Sequence, residues 1–167
     1  MEVAIPRWLP HGGQASLVAR TLHMARKQKV APSLADGTDH ARLRTLREGC
    51  ETYIASHRWD YYCTLTFRFD VTESIGAKEF EDGFITRLQQ RSQGKVLYVA
   101  VSARNWDEGR VHVHSLLRLV VPVGAPQVRA AWRAGYAAIE PFVPRGGAGA
   151  YMARHIAGAD AEVMVRE

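Results

Sequence analysis

In the run Arg110-Val111-His112-Val113-His114 two imidazoles stand two residues apart on a β-prone stretch. Alternate residues of a strand project to the same side, roughly 7 Å apart along it. Both rings can therefore reach one ion. Val111 and Val113, continued by Leu117 and Leu119, make the opposite, core-facing stripe, so such a strand separates a site from a core. A bare His-x-His is also what an ordinary exposed strand face carries. Two histidines under-fill a divalent site, which needs further oxygen or nitrogen ligands and open positions for water or phosphate.

Further along lies Tyr151-Met152-Ala153-Arg154-His155. On a helix, positions three and four apart share a face, so Tyr151, Arg154 and His155 project together. Tyrosine is a poor nucleophile at neutral pH because its pKa is near 10, and using it for phosphoryl transfer requires a metal or another cation beside it. Taken alone, Tyr151 reads as a half-buried aromatic on an amphipathic helix. The company it keeps changes that reading.

These residues need elements to hold them. Pro6, Pro10, Gly12, Gly13, Pro32 and Gly37 interrupt the first 38 residues around a short helix from about Gln14 to Lys29, which reads as an arm. A second helix is expected from near Asp39 to Ser56, with Leu43, Leu46, Cys50, Tyr53 and Ile54 at helical spacing and one face packed on the domain. From Tyr61 to Asp70 the pattern turns to period two, a half-buried strand. Phe80, Phe84 and Leu88 then predict a helix over about Ile75 to Gln93, stopped by Gly94.

Lys95 to Ser102 and Arg110 to Val120 read as a hairpin across the turn Asn105 to Gly109. A helix begun at Pro126 carries Val128, Ala131, Trp132 and Tyr136, a short strand follows over Ala137 to Val143, and a last helix runs from near Gly147 to near Gly158. This order predicts an α+β fold: an antiparallel sheet of ferredoxin or RNA-recognition-like split β-α-β topology. The helices should gather on one face, leaving the other for chemistry, with the tyrosine-bearing helix beside that second face. The chain divides into an N-terminal helical arm, 1–58, and a catalytic domain, 59–167.

The 167 residues, 47% hydrophobic and 23% charged, suit one folded domain. With no long apolar run and no secretory core near the N-terminus, the protein is expected to be neither membrane-spanning nor exported. Cys50 and Cys63 form neither a zinc pair nor a disulfide framework, which fits a reducing cytoplasm. The net charge is +5. Between Val121 and Ala159 it rests on Arg129, Arg133, Arg145 and Arg154 against Glu140. Such a bias suits a polyanion, although a solvated basic face is the commoner cause.

Three segments in this order resemble the HUH endonucleases of rolling-circle replication initiators. Cys63-Thr64-Leu65-Thr66-Phe67 is similar to their first motif, Arg110-Val111-His112-Val113-His114 to the His-hydrophobe-His motif, and Tyr151-Met152-Ala153-Arg154 to the Tyr-x-x-Lys motif. The resembling stretch covers about Trp59 to Gly158. It departs from the family in two ways: Arg154 replaces the usual lysine, and His155 stands where many phage members have a second tyrosine, which implies a single-tyrosine enzyme.

The resemblance implies a Mg²⁺ or Mn²⁺ ion on His112 and His114, attack by Tyr151 on a phosphate of single-stranded DNA, and a 5′-phosphotyrosine with a free 3′-hydroxyl. That chemistry nicks and rejoins an origin hairpin of a plasmid or phage. The third ligand is expected to be His155, which occupies the offset used in related insertion-sequence transposases, or next Glu108, since Val99 to Ser102 offers no carboxylate. Thr64, Thr66, Arg68 and Arg145 are candidates for the DNA backbone, and Trp106 for a base or an anchor of the arm. No Walker loop occurs, so a host helicase and polymerase are the expected partners. A single-strand transposase and a non-catalytic RNA-recognition-like module are the competing readings; the second predicts aromatic pairs on the central strands.

Overall fold

The computed structural model describes residues 37–104, 109–144, 147–156 and 161–166. Along the chain come α1 (Gly37–Ser56), β1 (Tyr61–Phe67), α2 (Glu73–Lys78), a π-helical segment (Glu79–Ile85), α3 (Thr86–Ser92), β2 (Val96–Arg104), β3 (Val111–Leu119), α4 (Ala125–Ala131), β4 (Gly135–Pro141), α5 (Ala148–Ile156) and β5 (Glu162–Arg166). The strands form one antiparallel sheet in the order β4-β1-β3-β2-β5. β3 is thus inserted between β1 and β2. The architecture is α+β, consistent with the ferredoxin-like class.

The period-two pattern of β1 does what it predicts: Cys63, Leu65 and Phe67 are buried while Tyr62, Thr64 and Thr66 on the other face are half-buried. On the first face Leu65, Val113 and Leu117 pack under Phe80, Phe84, Leu88 and Trp132. Thr72 caps α2, its hydroxyl accepting from the Ile75 N–H. The wider turn of the π-helical segment brings both Phe84 and Ile85, adjacent in sequence, to full burial. The left-handed residue that closes α3 is Gln93 rather than Gly94.

The second face is not left open. Cys50, Tyr53 and Ile54 of α1 and Met152 of α5 bury against Val99, Val101, Leu116 and Val163. The cause is in the strands, since β2 and β3 carry apolar residues on both faces and a sheet of that kind must be covered twice. Residues from about Cys50 onward therefore contribute to the same packed body as the strands. Within the described residues no helix is long and apolar enough to cross a membrane.

Two further differences follow from local chemistry. α4 ends at Ala131 and Trp132 is extended, its indole N–H donating to the Thr66 carbonyl at 3.2 Å. That anchors the chain early and hands Tyr136 to β4. β5, outside the sequence reading, pairs with β2 through Val163 and Val165.

The β1–β4 pairing depends on Gly135. A Cβ there would collide with the carbonyl oxygen of Thr66 and lie 2.7 Å from the Arg68 nitrogen, both backbone atoms. Gly135→Ala is expected to destabilise the fold by about 1–3 kcal/mol, read as a lowered urea midpoint with an unchanged slope. An unchanged midpoint would show that the two strands can part without cost.

Candidate functional site

Strand register sets two rows of side chains across the second face. One runs Ala138, Thr64, His114, Val101, Val163; the next runs Tyr136, Thr66, His112, Ala103. His112 and His114 share a face, as their spacing requires, with ring centroids 6.2 Å apart. They are not exposed. Only 7% and 6% of their surfaces reach solvent, and Tyr151 and His155 of α5 pack on His114.

Immediately ahead of α5 stands Gly147, a left-handed glycine whose carbonyl accepts from the Tyr151 N–H at 2.9 Å. Met152, fully buried between the helices and the sheet, fixes the roll of the helix. Tyr151 and His155 then share the face turned to His114. The Tyr151 ring meets His114 edge-on at 5.1 Å, His155 stacks on His114 at 5.0 Å, and Tyr151 and His155 lie 4.5 Å apart. The i, i+4 expectation holds for this pair.

Tyr62 joins the cluster without having been expected in it. Its hydroxyl lies 3.0 Å from His114 Nδ1, the Thr64 hydroxyl lies 3.3 Å from the same atom, and the Tyr62 ring is within 6° of parallel to His114. The signal in the sequence was periodicity, because Tyr62 precedes Thr64 and Thr66 by the same step of two. Hydroxyls at Nδ1 can accept from an Nδ1–H, the tautomer that leaves the Nε2 lone pair for another partner.

Burial, followed by the charges of His155 and His112, lowers the His114 pKa to about 3. The folded chain therefore keeps this ring neutral over a range where the unfolded chain protonates it. Stability should fall as pH drops from 6.5, the unperturbed value, towards 3, by up to ~1.4 kcal/mol per pH unit. Denaturation in EDTA, to remove metal effects, should show this slope in the wild type and a flatter one in His114→Gln. Equal slopes would exclude His114 as the cause.

The donor chemistry fits a divalent cation at two positions, through the imidazoles of His112 and His114. Among the described residues no three His, Cys, Asp or Glu side chains are gathered as a metal site would require. An imidazole lone pair lies in the ring plane, and the His155 ring is only 28° from parallel to that of His114. His155 therefore enters the donor set only by turning out of the stack. On β2 the partners of His114 and His112 are Val101 and Ala103, which offer no ligand atom.

Thr64 thus contacts the cluster and Thr66 sits opposite His112, while Arg68 lies beyond the end of β1, exposed. Glu108, Arg145 and Trp106 lie outside the described residues, and Arg154 is described only as part of the α5 backbone. Cys50 and Cys63 are buried thiols, each pushed up to about 12 by desolvation and so unreactive at neutral pH. Comparison with protein-family models, with curated proteins and with solved structures gives no match.

Proposed function

We propose that this chain nicks and rejoins single-stranded DNA through a covalent bond to Tyr151. One observation carries the reading: a tyrosine on a helix lies in ring contact with His114, one of two buried histidines of β3, and with His155, on the sheet face opposite the main core. A phenol, imidazoles and side-chain hydroxyls in one place suit phosphoryl transfer. The topology is then a split β-α-β sheet of the ferredoxin and RNA-recognition type, with β5 added at one edge and a second pair of helices over the active face.

In the proposed step the Tyr151 oxygen attacks phosphorus and loses its proton. The bond from phosphorus to the 3′-oxygen breaks, and that oxygen leaves as a 3′-hydroxyl after taking up a proton. One phosphodiester replaces another, so rejoining needs no nucleotide. A Mg²⁺ or Mn²⁺ ion on His112 and His114 would supply charge neutralisation at the phosphate. Tyr62 and Thr64 orient His114 through Nδ1, and Met152 sets where the Tyr151 hydroxyl stands. By the resemblance to the Tyr-x-x-Lys motif, Arg154 takes the role of cation for a phosphate oxygen.

Initiation of rolling-circle replication on a plasmid or phage uses this reaction, with host helicase and polymerase as partners; a single-strand transposase uses it at transposon ends. An RNA-recognition-like module needs the centre of its sheet open for bases, whereas α1 and α5 cover that centre here. The test is incubation of the protein with a pool of single-stranded oligonucleotides and Mn²⁺, followed by a denaturing gel. A protein–DNA adduct is expected, and its absence across origin-hairpin and transposon-end pools would defeat the reading.

A further inference from the structure

The row that contains His112 ends at an aromatic that the proposed reaction does not use. Tyr136 is the cross-strand partner of Thr66, and Thr66 is the partner of His112, so all three side chains leave the same sheet face. Two strand spacings separate Tyr136 from His112, roughly 10 Å between backbones. The His112 end of the row is covered, but Tyr136 is 72% exposed on the edge strand. Gly135 pins it there by holding β4 against the end of β1.

Its surroundings have a consistent chemistry. Phe69, 76% exposed, follows the end of β1 at the same corner, where the Arg68 N–H donates to the Ala134 carbonyl at 2.8 Å. Arg68 and Arg133 flank that backbone contact and are exposed. Neither guanidinium is in an ion pair among the described residues. Exposed rings beside available cations are the combination that binds unpaired nucleotides: each base has a face to stack and each phosphate needs a counter-charge. A protein partner would find little apolar area here, because among the described residues only two exposed rings stand at this corner beside Arg68 and Arg133.

We infer that Tyr136 is a base-stacking platform for the single strand, with Arg68 and Arg133 holding the adjoining phosphates, so that the strand enters the site along the β4 edge and meets His112 beyond Thr66. This rests on the proposed function and adds the path of its substrate into the site. Duplex DNA, whose bases are already stacked, should gain nothing from the ring.

The experiment measures fluorescence anisotropy of a labelled mixed-sequence single-stranded oligonucleotide and its duplex form, in a Tyr151→Phe background that cannot cut. Tyr136→Ala should weaken single-strand binding by about tenfold, the effect of one lost base stack. Tyr136→Phe should restore it, and duplex binding should not change. Arg68→Gln should lower the salt dependence of single-strand binding by about one phosphate contact. Unchanged binding in Tyr136→Ala, or equal losses on single strand and duplex, overturns the platform while leaving adduct formation by the wild type to stand. Tyr136-dependent binding without any wild-type adduct keeps the platform and removes the nicking reaction. No single-strand binding at all removes both.

Discussion

Tyr151→Phe protein is expected to bind single-stranded DNA and Mn²⁺ close to normally, yet to form no adduct that survives boiling in detergent. The change deletes one hydroxyl and leaves the ring that packs against His114 and His155. Loss of the attacking atom should lower the cleavage rate by at least ~10³-fold. The other tyrosines within the described residues are poorly placed. Tyr53 and Tyr98 are buried, and the Tyr98 hydroxyl donates to Glu81 at 2.7 Å. The Tyr61 hydroxyl donates to the Val123 carbonyl.

Tyr62 is the serious rival, since it also touches His114. Burial pushes its phenol up to about 12, which makes its oxyanion still harder to form. Tryptic mapping of the wild-type adduct should place the nucleotide on the peptide containing Tyr151. A label on Tyr62, or a Tyr151→Phe protein that still becomes linked, would mean that the wrong phenol has been assigned.

Joint replacement of His112 and His114 by glutamine should abolish cleavage and Mn²⁺ binding by calorimetry, with circular dichroism unchanged. Glutamine is chosen because both sites are buried and an alanine pair would leave cavities. Metal affinity equal to wild type would remove these residues from any ion site. His155→Ala should weaken Mn²⁺ binding more than Glu108→Ala does. The reverse ranking would move the third ligand to the β2–β3 turn. Neither variant tests the fold, so a loss of binding with retained circular dichroism speaks to the donors alone.

Where the sequence carried periodicity, it was readable. The alternation of β1, the His-x-His spacing and the i, i+4 relation of Tyr151 to His155 all appear as expected. Coverage of the second face was harder. KVLYVAVS is a β-prone run in the sequence, but that both of its sides are covered by helices is a tertiary fact. The spacing of Tyr136 from Trp132 fits a helix, yet Tyr136 lies on β4. A single indole bond to Thr66 ends that helix early, and such long-range anchors leave no local pattern. Tyr62 keeps the right period but belongs to no motif, and only the fold brings its hydroxyl beside His114.

The roof over the histidines comes from two distant parts of the chain, and this limits how the molecule can be cut apart. Ile54 of α1 packs so closely on α5 that a Cβ at Gly149 would stand 3.2 Å from its Cγ2. A truncated chain begun at Trp59 would bare Met152, Val99 and Val101 to water and free the helix that carries Tyr151. The smallest portable unit, for fusion or transplantation of the reaction, therefore includes α1, and tags are better joined ahead of that helix than in place of it.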